Sequence, residues 1–446
     1  MRAVFAGNKP SLLPLTLVTI ALVTLPAMAL WRWPRPRAMG LDRLLPQVSL
    51  LQSFQAAPDR PVPRLWRERL GTPRAERLWR RQRGIWWQFW SRDGDAGPFL
   101  GFAVGQNTEV AGALRVNELV VLAPDPLSNR QLSDQLGSSG RQRRGLERRC
   151  LERLQREQSV YWSQIGLAEL TGPLASLLQQ VSQGCLSLAA GAGRGLRVLD
   201  FSGETAATSG LLGDPPAAPG RSEAPQRLQE GVLLELEGPA LNPLVSTLFS
   251  RQLIREPLAS RYGIGERQLK LISSVPFRLR LRPIPDGSFQ AGLELLLAVG
   301  PERRPWASLL AGLRRALLDQ DLREGPPLLG VPAPGLRSQT LPAAVFLRED
   351  GTVVGGWRWQ AVERGEPQLN LFLGPTPGSL MPPVQSLPKG SPLRLRLLPE
   401  ALNRLGLLPR SLPELIRQGR SLQLELSPSD RPLSRLTGRL DLAAER

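Results

Sequence analysis

Residues 277–282 read FRLRLR, and residues 393–397 read LRLRL. In both stretches an apolar side chain alternates with arginine. This two-residue period places the apolar side chains on one face of a β-strand and the arginines on the other. We therefore expect sheets with one face in water and the other face buried under helices, an arrangement typical of antiparallel sheets in α+β proteins.

The same order of elements recurs three times along the chain, over residues 119–203, 232–299 and 392–442. Each stretch begins with a strand, turns at a proline, continues through two helical segments and ends in a hairpin. The spacing is too uneven for a solenoid and is typical of diverged modules. The sequence thus predicts repeated strand-helix-helix-hairpin modules with largely antiparallel sheets.

The first module shows how these elements are recognised. Asp125 and Pro126 predict a helix over 127–136, because Asp caps helix N-termini and Pro suits the first helical position. A basic helix over 145–161 is expected next, and the module closes with a hairpin over 185–201.

Composition divides the chain into seven segments. Residues 204–230 and 324–341 are rich in Pro, Gly and small polar residues, which is typical of linkers. The remaining segments are a signal or anchor helix at 1–33, an Arg- and Trp-rich segment at 34–97, and α+β modules at 98–203, 231–323 and 342–446.

No histidine occurs among the 446 residues. This excludes imidazole acid–base catalysis, histidine-activated nucleophiles and histidine-ligated metals. Two cysteines alone cannot complete a structural zinc site or hold an iron–sulfur cluster. We therefore predict no catalytic residue, no metal site and no cofactor, and a protein that is not an enzyme.

The basic charge is concentrated in two places. The chain carries 57 Lys and Arg against 39 Asp and Glu, a net charge of +18. Arg60 to Arg92 holds ten arginines against two glutamates, and Arg141 to Arg156 holds seven against two. Such surfaces attract phosphate groups of lipids or nucleic acids. No zinc-finger, RNP-like or helix-turn-helix motif is present, so the expected partner of Arg60–Arg92 is anionic lipid headgroups rather than nucleic acid.

Residues 11–31, SLLPLTLVTIALVTLPAMALW, contain no charged side chain. About 20 helical residues cross a bilayer core, so this segment is long enough to be a membrane anchor. Trp31 and Trp33 follow it and suit the membrane interface. A cleaved signal peptide is the alternative, because Ala27 and Ala29 form the small-x-small pattern that signal peptidase accepts.

The orientation of this anchor stays open. Arg32, Arg35, Arg37 and Arg43 follow the apolar segment, and the positive-inside rule would keep that side in the cytoplasm. The short basic start and the cleavage-site pattern instead favour export. We expect export with retention as a single-pass anchor, which places the body in the periplasm or the thylakoid lumen.

The Arg- and Trp-rich segment predicts a helix over 64–83, and two structures are open for residues 85–90. Those residues either continue the helical pattern or form a strand that turns into residues 98–104. The candidate membrane-interface residues are Trp31, Trp33, Trp79, Trp86, Trp90, Arg80 and Arg83. An interfacial helix would place the rings among acyl chains and the guanidinium groups on headgroups. The favoured alternative packs the Trp face on its own domain.

Cys150 and Cys185 have two interpretations. In an oxidising compartment they form a disulfide that closes a loop of about 35 residues and stabilises the fold by about 2–4 kcal/mol. Alternatively, Cys150 is a buried free thiol on the apolar face of its helix.

Two further patterns have structural explanations. Gly191, Gly193 and Gly195 resemble a phosphate loop, but a strand follows them where a helix N-terminus is required, so they predict a hairpin turn. Glu235 and Glu237 share one strand face and have the residue types for acid–base work or for a hard cation. A solvated sheet face is the commoner outcome for such a pair.

Two stretches, 118–136 and 232–262 (VLLELEGPALNPLVSTLFSRQLIREPLASRY), resemble a cyanobacterial family of domains of unknown function. Members of that family have one N-terminal hydrophobic segment and a large exported α+β body. The resemblance implies an anchor and an extracytoplasmic compartment, and it supplies no catalytic residues.

Three functions are compatible with these features. The first is a membrane-anchored, extracytoplasmic, non-catalytic protein that serves as a scaffold or assembly factor for envelope or thylakoid components. The second is a carrier of lipid or another hydrophobic ligand, with a cavity between sheet and helices. The third is a hydrolase that uses carboxylates alone, as glycosidases do.

Overall fold

A computed structural model of the chain describes the body from residue 40 onward. The described residues are 40–92, 97–103, 110–137, 145–172, 175, 178, 181–193, 196–206, 228–284, 290–326, 343–362, 365–384, 391–409, 412–429 and 433–443. They form a mixed α+β structure, as predicted, with 12 helices and one 18-stranded antiparallel sheet in this part of the chain.

The helices are short and are numbered in chain order. They are α1 Gly40–Leu44, α2 Arg64–Leu70, α3 Thr72–Arg81, α4 Pro126–Gly137, α5 Leu146–Leu154, α6 Gln164–Thr171, α7 Asn242–Ser250, α8 Gln252–Tyr262, α9 Glu266–Ser273, α10 Arg304–Leu318, α11 Pro399–Arg404 and α12 Glu414–Arg417. A 3₁₀ turn, Leu45–Gln47, follows α1. As predicted, a carboxylate oxygen of Asp125 accepts a hydrogen bond from the backbone N–H of Ser128 at the start of α4.

The strands are numbered in the same way. They are β1 Val48–Gln55, β2 Ile85–Ser91, β3 Phe99–Ala103, β4 Leu114–Val116, β5 Leu119–Leu122, β6 Ser159–Trp162, β7 Gln183–Gly193, β8 Leu196–Ala206, β9 Leu234–Gly238, β10 Phe277–Pro283, β11 Ala291–Leu297, β12 Arg323–Glu324, β13 Ala344–Leu347, β14 Val353–Gln360, β15 Gln368–Leu373, β16 Leu393–Leu397, β17 Gly419–Pro428 and β18 Leu433–Ala443.

Strand pairing orders the sheet differently from the chain. The spatial order is β4-β5-β3-β2-β1-β6-β7-β8-β18-β17-β16-β9-β10-β11-β15-β14-β13-β12, and every neighbouring pair is antiparallel. The C-terminal strands therefore lie in the middle of the sheet. β18 pairs with β8 of the N-terminal half, and β16 pairs with β9 of the other half. The predicted modules share this one sheet.

The N-terminal strands are buried on both faces. On one face, α1, α4 and α5 pack with Leu51, Phe89 and Phe99. On the other face, α2 and α3 pack with Trp86 and Phe102. In the other half of the sheet, α7, α9 and α10 cover the apolar face that carries Phe277, Leu297 and Leu369.

Two helices end earlier than the sequence predicts. The helix predicted over 64–83 breaks at Gly71, whose φ of +74° is accessible to glycine, and Thr72–Pro73 begins a second helix. The helix predicted over 145–161 ends at Leu154. Residues 159–162 form β6 instead, because Val160, Tyr161 and Trp162 suit a strand and their backbone pairs with β1.

The structure decides the alternatives for residues 85–90 in favour of a strand, β2, which pairs with β3 across the boundary predicted at 97–98. β8 extends to Ala206, into the predicted 204–230 linker. Sequence analysis predicted none of α10, β13, β14 and β15. Among the described residues, no helix has both the length and the apolar character needed to cross a membrane. The predicted anchor at 11–31 lies outside the described residues.

Candidate functional site

Charges alternate from strand to strand on one face of the central sheet. Across β8, β18, β17, β16, β9, β10 and β11, carboxylate-bearing strands alternate with arginine-bearing strands. We call this set the charge ladder; it consists of Asp200, Glu204, Arg435, Arg439, Glu425, Arg394, Arg396, Glu235, Glu237, Arg278, Arg280, Arg282 and Glu294. Opposite charges on neighbouring strands stabilise this pairing, and like charges directly opposite would oppose it.

Glu235 lies at the centre of the charge ladder. The Nε atom of Arg280 donates to its Oε2 over 2.5 Å, and an Nη atom of Arg396 donates to its Oε1. Glu235 is 4% exposed and Arg280 is 2% exposed. The prediction of a solvated sheet face is therefore wrong at Glu235. The alternating pattern predicted that this face is in contact with water, but here the face is buried and carries paired charges.

Glu237, two residues along the same strand, also lies between arginines but is less buried than Glu235. Nη2 of Arg278 donates to its Oε2 over 2.8 Å, and nitrogen atoms of Arg396 and Arg394 lie 3.6 and 3.8 Å from Oε1. Both carboxylates are thus clamped between arginines from two strands. In this state neither is free to transfer a proton or to bind a hard cation, so the arrangement gives no support to acid–base work by this pair.

Burial shifts the pKa of a charged group at this site, the guanidinium of Arg280. Desolvation is the main cause that lowers the pKa of Arg280, and the charge of Glu235 opposes it. Arginine nonetheless stays charged, because its guanidinium group is not deprotonated in proteins. Breaking one such pair would leave a buried charge without compensation.

Glu294 on β11 differs from the glutamates of β9. Its Oε1 lies 2.7 Å from Nε of Arg282, and the side chain is almost fully buried. Burial raises the pKa of Glu294, and the positive charges of Arg282, Arg358 and Arg280 oppose that rise without cancelling it.

A segment without helix or strand, residues 375–384, which bends at 375 and at 378–379, crosses the same face over β10, β11, β15 and β14. We call it the strap. Met381 and Val384 are buried against Leu296 of β11. Arg278 and Arg358 donate from the sheet to carbonyl oxygens of the strap.

The predicted cysteine pair is joined in the structure. Cys150 on α5 and Cys185 on β7 form a disulfide with their Cα atoms 5.6 Å apart, within the normal range. Both residues are fully buried. The bond fixes α5 on the face of the sheet that carries the charge ladder.

The candidate interface residues fall into four groups. Trp79 and Trp86 are buried with Trp66, at ring-centroid distances of 5.2 and 6.0 Å, so these two rings face their own domain. Trp90 is half-buried on β2.

Arg80 and Arg83 are exposed, together with Arg67, Arg77 and Arg81. We call these five residues the arginine surface. Trp31 and Trp33 lie outside the described residues. Within the described part of the chain, no group of three acidic or cysteine side chains is placed to hold a metal ion.

Sequence analysis missed the polar residues under the strap. Arg358 and Gln360 on β14, and Gln368 and Asn370 on β15, share the face that the strap covers. The signal that would have found them is the alternation in 357–360 (WRWQ) and 368–371 (QLNL), which has the same two-residue period as the strands that were recognised.

Comparisons of the chain with protein family models, with curated proteins and with solved structures find no match. Any functional assignment therefore depends on the residues and the geometry of this chain.

Proposed function

We propose that this protein is a membrane-anchored, extracytoplasmic scaffold, which holds or helps to assemble envelope or thylakoid components without catalysis. In this proposal residues 11–31 anchor the chain in the bilayer, and the arginine surface contacts anionic headgroups. The body lies in the periplasm or the thylakoid lumen.

The disulfide supports the extracytoplasmic part of the proposal. Disulfides persist in oxidising compartments and are rare in the cytosol of most organisms, where thiols are kept reduced. Cys150 and Cys185 are both buried inside the N-terminal half, so their bond is part of the packed structure.

The observation that carries the membrane contact is the arginine surface itself, and residue 40 fixes where the predicted anchor joins the described body. The N–H of Gly40 donates to the Glu118 carboxylate beside β5. The cluster that holds α2 and α3 also includes Val120 and Leu122 of β5. The nine residues between 31 and 40 span at most about 30 Å. α1, which begins at Gly40, packs on the opposite face of the sheet from α2 and α3. In this proposal residues 31–40 would therefore have to pass the edge strands β4 and β5 for the anchor and the arginine surface to meet the same bilayer.

The charges of the arginine surface are available to a ligand. Arg77 lies one turn of α3 from both Arg80 and Arg81, and like charges at that spacing repel each other. Among the described residues, no ion pair joins any of the five arginines to a carboxylate. An anionic bilayer would relieve this repulsion. Attraction to the anionic headgroups contributes about 1 kcal/mol of binding free energy for each arginine near the surface.

The vesicle test uses residues 40–446, so that the apolar segment does not itself insert. Arg77, Arg80, Arg81 and Arg83 are changed to Gln, and sedimentation with phosphatidylglycerol-containing vesicles is compared with sedimentation with phosphatidylcholine vesicles. We expect the four changes to weaken binding by about 100-fold or more, in a salt-dependent manner.

A matched control removes the same charge elsewhere. Arg261, Arg267, Arg404 and Arg420 are also exposed, and their change to Gln should leave vesicle binding within about twofold of the unchanged protein. Equal losses in both variants would show that net charge, and not the arginine surface, determines binding. Fractionation of the full chain with protease protection tests the compartment, and cleavage from the cytoplasmic side would contradict it.

A second candidate function, carriage of a hydrophobic ligand, is favoured by one observation. Leu188, Leu199, Phe201 and Leu422 are half-buried on the apolar face of β7, β8 and β17. A bound acyl chain would complete their burial, at about 0.8 kcal/mol for each CH₂ group. Native mass spectrometry of the purified protein tests this candidate, which requires a lipid adduct that survives desalting.

A further inference from the structure

The strap contacts the sheet as a bound peptide would. Among the described residues, no backbone–backbone hydrogen bond joins residues 375–384 to a strand. Side chains of the sheet make the contacts instead. They are Arg278 to the carbonyl of Pro382 (2.7 Å), Arg358 to those of Pro377 (3.2 Å) and Ser379 (2.9 Å), Gln360 to that of Met381 (2.5 Å) and Gln368 to that of Val384 (2.6 Å).

Two features complete the resemblance to peptide recognition. The N–H of Val384 donates back to Oε1 of Gln368 over 2.8 Å. Met381 and Val384, three residues apart, are buried as apolar anchors, while Leu380 and Pro383 are exposed. Proteins bind extended peptides through hydrogen bonds to the main chain of the peptide and through pockets for selected side chains. Here side chains of the sheet make the hydrogen bonds to the strap main chain.

The strap leaves part of this polar face without partners. Both amide atoms of Asn370, which is 0% exposed, lack a hydrogen bond, as do Oε1 of Gln360, Nε of Arg358 and Oε2 of Glu294. Buried polar groups without partners are destabilising. Three of these atoms are acceptors: the oxygens of Asn370, Gln360 and Glu294. The strap cannot donate to them from Pro382 or Pro383, because proline has no N–H.

We propose that the face formed by β10, β11, β15 and β14 is a binding site for an extended peptide of another protein, and that the strap occupies it as an internal ligand. The peptide would carry two apolar anchors three residues apart, and ordinary N–H groups where the strap has Pro382 and Pro383. It displaces the strap and supplies hydrogen bonds that the strap cannot. This inference rests on the proposed function in one respect: the protein that carries the peptide would be a partner that the scaffold holds.

The test uses a synthetic, fluorescently labelled peptide with the sequence of residues 374–384, and the full chain with Met381→Ser and Val384→Ser to release the strap. A tethered strap competes at an effective concentration in the millimolar range. We therefore expect the peptide to bind the released variant at least tenfold more tightly than the unchanged chain, by fluorescence anisotropy.

Two further peptides and one further variant define the specificity. A peptide with serine in place of Met381 and Val384 should not bind detectably. A peptide with alanine in place of Pro382 and Pro383 should bind several-fold more tightly, because it restores two N–H donors. Adding Arg358→Gln to the released variant should weaken peptide binding about tenfold or more, since Arg358 makes two charge-assisted hydrogen bonds.

A measurement on the unchanged full chain covers the case in which the released variant does not fold. Hydrogen exchange followed by mass spectrometry should show that the N–H of Val384, which donates to Oε1 of Gln368, exchanges faster than the amides of β10 and β11. Equal peptide affinity for released and unchanged chains, binding of the serine peptide, or exchange of the Val384 N–H as slow as that of β10 would each overturn the inference. None of these results involves a membrane, so the vesicle experiment is judged separately.

Discussion

The N-terminal strands and the central strands are covered by different means, and the N-terminal strands are the more completely buried. Around β2, aromatic side chains fill both faces, and Trp66 is 0% exposed. Around β9, apolar side chains fill one face, and arginine–glutamate pairs fill the other, with Arg280 at 2% exposure. Burial in this protein is thus achieved either by transfer of apolar surface from water or by pairing of charges across strands.

The two regions therefore tolerate different substitutions. A buried aromatic cluster loses stability in proportion to the volume removed. A buried ion pair is sensitive to the loss of one partner but much less sensitive to the replacement of both by apolar residues. The paired charges also specify which strands are neighbours, which apolar side chains alone do not do.

The largest expected effect is in the aromatic region. Trp66→Ala removes a ring that contacts Trp79, Trp86 and Phe102, and we expect a loss of about 3–5 kcal/mol in the free energy of unfolding. Urea unfolding monitored by circular dichroism measures it. Leu253→Ala, at a side chain that is 90% exposed, is the control and should change stability by less than about 0.5 kcal/mol. Similar losses for the two variants would contradict the assignment of Trp66 to a core.

The disulfide gives the next largest effect. Cys150→Ser with Cys185→Ser should lower the free energy of unfolding by about 2–4 kcal/mol, because the unfolded chain gains conformational freedom. The same urea titration on oxidised wild type and on the double variant measures the difference. A variant as stable as wild type would show that the bond does not constrain the unfolded chain.

The charged region should respond differently to single and double changes. Arg280→Met leaves Glu235 with Arg396 as its remaining partner, and we expect a loss of about 2 kcal/mol, below that of a fully uncompensated charge. Adding Glu235→Leu should recover most of that loss. If the two single losses simply add, the pair is not energetically coupled.

The smallest effect concerns Glu294. Burial raises the pKa of this carboxyl group above its ordinary value of 4.5. The folded state holds this proton more tightly than the unfolded state. The stability that it contributes is therefore complete below pH 4.5 and is lost as pH rises toward the folded-state pKa. The stability of Glu294→Gln relative to wild type should rise across that window and then level off. Urea unfolding at several pH values tests the sign, and a relative stability that falls with rising pH would contradict it.

Local sequence patterns predicted many of the individual helices and strands, because the signals that start, end and alternate these elements lie within a few residues of each other. The alternation in 277–282 and 393–397 correctly gave β10 and β16, and Asp125 correctly marked the start of α4. Periodicity could not separate helix from strand at 85–90, where both patterns fit. Pairing with β1 and β3 decides that stretch, and this information is not local.

The order of strands and the charged site depended on contacts distant in sequence. Glu235 and Arg396 are separated by 161 residues, and no local rule joins them. The prediction of a solvated face holds at Asp200 and Arg439, whose side chains are nearly half exposed, and was wrong at Glu235. Alternation reports which side chains share a face, without reporting what covers that face. The strap, which covers part of it, has neither regular period nor secondary structure.

The central claim is that the C-terminal strands β16, β17 and β18 join the two halves into one sheet, through β18 on β8 and β16 on β9. Hydrogen exchange of the full, oxidised chain tests it most directly, because amides paired inside a sheet exchange only when it opens. We predict that residues 433–443 and 393–397 exchange as slowly as β9 and β10. Fast exchange in either segment, with β9 and β10 still protected, would contradict it.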